Sequence, residues 1–306
     1  MTAVMLFGGQ GSQRPGMLHQ WADLPEVEAH VGQASEVLGE DVWELDSEVS
    51  LRGTRAVQLS LLVLHSGINA ALRNRGFRPD IGAGHSLGAW SAAVAAGVLS
   101  FGDALRLVDI RGSRMAAAAP AGYGMSAVVG LSEMAVRRLV SEIGEDAWVS
   151  NLNTPTQCTV SGSDTALDQL QQTAADAGAQ RVIRLEVAVP AHSPLMTPAR
   201  TALEEATTGT PVGRPEFPVL ANCSGRLLRD RVAVLSDLVA STDQPVYWAS
   251  GMAAIAERGV TSWVQCAPGE TLLGMLRGIE GGFRCWSVDS VGLDEAVARW
   301  RLTEGH

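Results

Sequence analysis

The sequence predicts an α/β protein with a parallel-sheet core and a smaller unit inserted into it. Three observations lead there. Short apolar runs ending in glycine alternate with segments whose apolar residues recur at helical spacing. Between residues 123 and 188 that rhythm changes to β-α-β-β-α-β. A G-x-S-x-G pentapeptide, Gly84-His85-Ser86-Leu87-Gly88, falls between a predicted strand and a predicted helix.

Taken in order, Ala3–Phe7 reads as a buried strand stopped by Gly8-Gly9. Thr54–Arg75 carries Val57, Leu61, Leu64, Ile68 and Leu72 at helical spacing, and its cations and Gly76 suit a helix C-terminus. Ile81–Gly84 is a short strand, and the small, apolar Ala89–Val98 a buried helix. Ser100-Phe-Gly-Asp103 is an acidic variant of the capping box, opening a helix to about Ala118. The insert follows: strands at Gly124–Gly130, Ala147–Leu152, Gln157–Ser161 and Arg181–Val187, and helices at Ser132–Ile143 and Ser163–Ala177. That order is the ferredoxin-like pattern. The chain then returns to alternation, with strands at Phe217–Ala221 and Val260–Cys266 and helices near 194–207, 231–240, 246–258 and 292–301. Residues 1–122 and 189–306 are expected to form the core and 123–188 the insert, a division that suits 306 residues.

Composition narrows the function. Acidic residues outnumber basic ones by 33 to 23, and no basic tract exists to replace counterions, which argues against nucleic acid as a ligand. The four cysteines are scattered without a C-x-x-C, so a reduced, cytoplasmic compartment is expected. The chain contains no lysine, which excludes Schiff-base chemistry, a pyridoxal-phosphate site and a Walker loop. The six histidines make no metal-ligand spacing, so a zinc or other metal site is not expected. Met1–Phe7 lacks the basic flank of an export signal, and no segment approaches the length of a membrane span.

The pentapeptide sits where a nucleophile elbow would. A sharp turn after a strand lifts the serine hydroxyl from the sheet, glycines permit close backbone approach, and the helix N-terminus favours developing negative charge. Ser86 needs a base. His192, in Val189-Pro-Ala-His-Ser-Pro194, follows the serine in chain order, as in α/β-hydrolases, and stands where the insert rejoins the core. His85 is the competitor, but on a tight turn its ring should point away from its neighbour's hydroxyl. No triad acid stands out among Asp103, Asp109, Asp164 and Asp168, so a backbone carbonyl is an alternative partner for the imidazole. The glycine-rich Gly8-Gly-Gln-Gly-Ser-Gln13 lets the Gln10 amide join that of Leu87 in an oxyanion hole. Arg111, by position alone, reads as an exposed helix arginine.

Together these motifs resemble the malonyl-CoA:acyl carrier protein transacylases and the acyltransferase domains of fatty-acid and polyketide synthases. The matching segments are FGGQGSQRPGM (7–17), GHSLGAWSAAVAAGVLSFGDALRLV (84–108), RGSRM (111–115), NLNTPTQCTVSG (151–162), VPAHSPLM (189–196), QPVYW (244–248) and APGETLLGML (267–276). The resemblance implies an α/β-hydrolase-like core, Ser86 as the acylated nucleophile, His192 as its base, and Gln10 and Leu87 as oxyanion donors. It implies that Arg111 binds the free carboxylate of a malonyl group as a bidentate pair. It also sets Asn153, Gln58 and Ser241 at the substrate cleft, with a carbonyl near Ser241 orienting the histidine. The implied partners are malonyl-CoA and an acyl carrier protein, with no cofactor.

Two positions depart from the usual pattern: Gly9 replaces a proline, and Ala89 replaces the glutamate after the pentapeptide. Ala89, with Gly122-Tyr-Gly-Met125, is more similar to the epsilon (transacylase) subunit of malonate decarboxylase. That adds the other decarboxylase subunits to the expected partners. The expected reaction is therefore malonyl transfer within malonate decarboxylase, the alternatives being a fatty-acid or polyketide synthase transacylase or a serine esterase or thioesterase. A non-catalytic assembly subunit fits poorly with both a serine and a histidine in place.

Overall fold

The computed structural model describes residues 2–187, 189–276, 279 and 281–304. Among these residues ten strands form two sheets, with helices between the strands. The chain runs β1 (Thr2–Phe7), α1 (Pro25–Leu38), α2 (Thr54–Asn74), β2 (Ile81–Gly84), α3 (Leu87–Ala95) and α4 (Phe101–Ala118). It continues through β3 (Tyr123–Val129), α5 (Glu133–Ile143), β4 (Ala147–Thr154), β5 (Gln157–Ser163), α6 (Asp164–Asp176) and β6 (Arg181–Arg184). The last part is α7 (Thr197–Ala206), β7 (Val219–Leu220), β8 (Leu227–Leu228), α8 (Arg231–Ala240), α9 (Trp248–Ala256), β9 (Val260–Gln265), α10 (Thr271–Met275), β10 (Arg284–Ser287), α11 (Val288–Val291) and α12 (Leu293–Glu304).

The larger sheet has the order β10-β9-β1-β2-β7-β8, parallel except for the β7–β8 hairpin. Its central strand β1 is almost wholly buried, as parallel strands covered on both faces must be. The register pairs Phe7 with Gly84, so β1 and β2 end side by side. The Gly8–Gln13 loop and the Ser86 turn therefore leave the sheet at one edge. β1 has β9 on one side and β2 on the other, which makes this edge a switch point where ligands bind in open α/β sheets. Behind it α3 is apolar on every side and buries Trp90 completely, as an internal helix does.

The smaller sheet, order β4-β5-β3-β6, is antiparallel throughout and carries α5 and α6 on one face. The expected β-α-β-β-α-β rhythm is present, with Ser132 and Ser163 capping the two helices through their hydroxyls. The last strand stops at Arg184 rather than Val187: after one further bond to β3, from Leu185 N–H to Met125 O at 2.9 Å, residues 185–187 line the cavity. The expected boundary at residue 188 lies outside the described residues. Edge strand β4 is tied to the larger unit by a parallel bridge between Asn151 and Val246, with Val246 N–H donating to Ser150 O at 2.9 Å and Leu152 N–H to Val246 O at 2.8 Å. Among the described residues no helix is long and apolar enough to cross a membrane.

Candidate active site

Ser86 occupies the turn between β2 and α3 with φ 54° and ψ −112°, a conformation that L-residues rarely adopt. Two glycines make that turn possible. A Cβ on Gly84 would lie 2.0 Å from the Gly88 carbonyl, and one on Gly88 would lie 2.0 Å from Phe7 O. The turn thus presses against the end of β1. Among the described residues only one other non-glycine has positive φ, and it is His192, at 59°. Strain concentrated at two residues that meet is a mark of a built site.

They do meet. His192 Nε2 lies 2.8 Å from Ser86 Oγ, and Nδ1 lies 2.5 Å from Ser241 O and 3.2 Å from Gln244 O. A carbonyl can only accept, so Nδ1 carries the proton and Nε2 is free to accept from the serine hydroxyl. Burial first, then the neighbouring Arg111 and His85, push the His192 pKa down to about 3, so the ring is neutral at ordinary pH. The four aspartates considered from the sequence do not approach it: Asp109 pairs with Arg55, Asp164 with Arg184, and Asp103 with Ser100 and Arg106. Asp168 is exposed on α6.

Arg111 corrects the expectation of an exposed helix residue. It is 1% exposed on α4, and burial lowers its pKa to about 10, which still leaves it charged near neutrality. Nη1 donates to Gln58 Oε1 at 2.7 Å and Nη2 to Ser86 Oγ at 3.2 Å. Nε has no partner, and no carboxylate pairs with Arg111 among the described residues. A buried cation without a counter-anion is costly unless a ligand supplies one.

These groups line a cavity of about 400 Å³ between the two sheets. Gln10, Leu87, Gln58, Asn153, Ser86, His192 and Arg111 all reach it. Leu87 opens α3, so its N–H has no partner within the helix. With Gln10 in the loop that follows β1, the Leu87 amide can face an oxyanion at Ser86. Asn153 Oδ1 accepts from His85 Nε2 at 2.9 Å, and the His85 ring meets Trp248 edge-on. His85 therefore points away from the Ser86 hydroxyl. Ser241 was expected at the substrate but does not line the cavity; its side chain is buried against Leu238 O, and only its carbonyl serves the site, through His192.

Asn222 belongs to none of the sequence motifs. Its Oδ1 accepts from the Ser86 N–H and its Nδ2 donates to Gly84 O, both at 2.8 Å. The signal available was a polar residue directly after a predicted parallel strand, where such sheets place functional groups.

Residues 4–284 match the acyl transferase domain family. The chain is 36% identical over 284 residues to the malonyl CoA-acyl carrier protein transacylase of Salmonella typhimurium, covering 90% of this chain and 92% of that protein. It superposes with a TM-score of 0.92 and 34% identity on a malonyl-transacylase solved in complex with a type II polyketide synthase acyl-carrier protein, covering 98% of this chain and all of the other. It also superposes on the acyl-carrier-protein S-malonyltransferase of Burkholderia pseudomallei, with a TM-score of 0.91, 35% identity and coverage of 97% and 100%. A match of this length, on a chain whose serine and histidine meet across the cleft, means that the protein belongs to the acyl transferase domain family.

Proposed function

We infer that this protein is a malonyl-CoA:acyl carrier protein S-malonyltransferase of the fatty-acid or polyketide type. The observation that carries the reading is the buried, unpaired Arg111 guanidinium 3.2 Å from Ser86 Oγ. A hydrolase of neutral esters has no use for it, whereas a malonyl thioester brings the missing carboxylate. The relatives named above favour this setting over a malonate decarboxylase subunit. The two sheets suit an α/β-hydrolase-like core of residues 1–122 and 189–306 with a ferredoxin-like insert at 123–188.

In the reaction so read, His192 Nε2 takes the Ser86 hydroxyl proton as Oγ attacks the thioester carbonyl carbon. The carbonyl oxygen becomes an oxyanion held by the Gln10 and Leu87 amides, each such donor being worth about 2.7–4 kcal/mol in comparable sites. The C–S bond breaks, and the leaving CoA thiolate takes the proton from His192. The carrier's phosphopantetheine thiol then gives its proton to His192 and attacks the malonyl-serine carbonyl carbon; the ester C–Oγ bond breaks, and Ser86 Oγ takes the proton back from His192. The Ser241 and Gln244 carbonyls stabilise the transient imidazolium without a full negative charge. The acceptor is a macromolecular partner whose thiol arm enters the cleft.

The test is transfer of labelled malonyl groups from malonyl-CoA to fatty-acid, polyketide and malonate decarboxylase carrier proteins, with Ser86→Ala as control. A malonyl increment on the Gly84–Gly88 peptide and transfer to a fatty-acid or polyketide carrier are expected. Transfer to the decarboxylase carrier alone would move the protein to that system. Rapid release of free malonate with no transfer would make it a thioesterase.

A further inference from the structure

The geometry points to Asn222 as a positioning residue that sets the backbone of the Ser86 turn, a role that rests on the acyl-transfer reading of Ser86. Three observations support it. Ser86 holds φ 54° and ψ −112° with a β-carbon in place, so something beyond its own preference must maintain that conformation. The Asn222 carboxamide spans the turn, with Oδ1 on Ser86 N–H and Nδ2 on Gly84 O at 2.8 Å each. Those two bonds bracket the strained residue across 136 to 138 positions of sequence, so the link is tertiary rather than part of the turn itself.

Asn222 is in turn immobilised. It is 1% exposed. Its own N–H donates to Asp237 Oδ2 at 2.7 Å, the Cys223 N–H donates to Asp237 Oδ1 at 2.9 Å, and its carbonyl accepts from Tyr247 N–H at 2.8 Å. α8, which carries Asp237, and the start of α9 thus hold a side chain that extends the β2–β7 pairing beyond the end of both strands. With the Ser86 N–H engaged there, the Leu87 N–H is the amide left to face the cavity.

The donor and acceptor ends of the carboxamide are fixed by their partners, because Gly84 O can only accept and Ser86 N–H can only donate. Asn222→Asp keeps the size but sets a carboxylate oxygen against Gly84 O. Protonating that introduced carboxyl restores a donor to Gly84 O and an acceptor for Ser86 N–H. Activity lost through positioning should therefore return as pH falls, whereas activity lost through a damaged fold should not. Asp237 and Cys223 beside position 222, and His85, His192 and Arg111 at the turn, are common to both proteins, so the variant-to-wild-type ratio at each pH isolates the new carboxyl.

The experiment measures pre-steady-state acylation by malonyl-CoA, and labelling by a fluorophosphonate, in wild type, Asn222→Asp and Asn222→Ala. Circular dichroism and thermal unfolding check that each variant folds. At pH 8 kcat for acylation should fall about 10–100-fold in both variants with KM near wild type, since a nucleophile misplaced by about 1 Å loses on the order of 10² in rate. Towards pH 5 Asn222→Asp should regain most of that loss and Asn222→Ala none. Folded variants with wild-type acylation, or an Asn222→Asp deficit independent of pH, overturn the positioning role. If wild type takes up no malonyl group the acyl-transfer reading fails instead, and the fluorophosphonate rates still decide whether Asn222 sets the reactivity of Ser86.

Discussion

Arg111 Nη2 donates to Ser86 Oγ at 3.2 Å while Nη1 is held by Gln58. A full positive charge is thus fixed beside a serine hydroxyl in a buried cleft. It can lower the cost of the developing alkoxide, and it can exchange that contact for a carboxylate when one enters. Both effects are strongest where water is excluded.

Arg111→Ala should separate substrates rather than disable the serine. Malonyl-CoA would have to desolvate a carboxylate with nothing to receive it, while acetyl-CoA has none to place. kcat/KM for malonyl-CoA should collapse, and that for acetyl-CoA should persist or rise. Arg111→Lys should rescue poorly, because an ammonium lacks the planar fork. Equal proportional losses for both thioesters would mean that Arg111 supports the Ser86 alkoxide and does not select the malonyl carboxylate.

His192→Ala should lower acylation by about 10²–10⁴, the usual share of base catalysis. His192 is only 3% exposed, so the variant should also unfold at a lower temperature. The pH profile is the sharper check. The base works when neutral, and its pKa lies at about 3, so acylation should stay level from about pH 8 to about pH 5. A histidine near its ordinary value of about 6.5 would lose most of its activity over that span. Because Arg111 contributes to the lowering, Arg111→Ala should move the acid limb to higher pH for acetyl-CoA.

How much of this was visible in the sequence depended on the range of the interaction. α2 and the capped helices α4, α5 and α6 follow from local periodicity and from Ser100, Ser132 and Ser163. α1 buries only Val27, Val31 and Ala34 among polar neighbours, which leaves a weak apolar stripe. β10 is a four-residue edge strand with two exposed residues, and its alternation is too short to read. The pentapeptide located Ser86, but the burial of His192 and Arg111 is created by closure of two sheets. Asn222 comes from 136 residues further along the chain, and its place after a strand points to Ser86 only once β7 is known to lie beside β2.

Acid should destabilise the fold through its buried histidines. His65, packed on Phe7 with Nδ1 on Ser91 Oγ, is pushed down to about 3 by burial, as His192 is. The native pKa lies below the unfolded one, so the unfolded chain binds the proton first. The stabilising contribution is complete above about pH 6.5 and is lost as pH falls towards 3, at about 1.4 kcal/mol per pH unit for each such histidine. Urea unfolding at pH 7 and pH 4.5 should show that slope, and His65→Gln should reduce it by one histidine's share. An unchanged slope in that variant would mean that His65 already titrates normally in the native state.

Gly88→Ala and Gly32→Ala should have opposite effects. A Cβ at Gly88 meets Phe7 O at 2.0 Å and Gly8 O at 2.7 Å, so α3 must move off β1. Overpacking of this kind costs about 1–3 kcal/mol, and more when the obstacle is backbone. The shift also parts Leu87 from Gln10, so acylation should fall along with the melting temperature. Gly32 lies within α1 with nothing near its missing Cβ, and alanine there should stabilise by about 0.5–1 kcal/mol with activity unchanged.

Gln58→Glu tests whether the unpaired charge of Arg111 is what selects the substrate. Gln58 Oε1 accepts from Nη1 at 2.7 Å, and a glutamate of the same length would offer a carboxylate at that place. The guanidinium would then be neutralised from within the chain, and an incoming malonyl group would meet a like charge beside its intended partner. Malonyl-CoA should therefore lose most of its kcat/KM even though Arg111 is still present. Acetyl-CoA should be little affected, because Ser86, His192 and the oxyanion amides are untouched. The new ion pair is buried, so the introduced carboxyl should stay charged and the fold intact. Combining the change with Arg111→Ala is decisive: if Gln58→Glu acts by occupying the guanidinium, the double variant should handle malonyl-CoA no better than Arg111→Ala alone. A Gln58→Glu protein that still prefers malonyl-CoA would show that the carboxylate is selected elsewhere in the cleft.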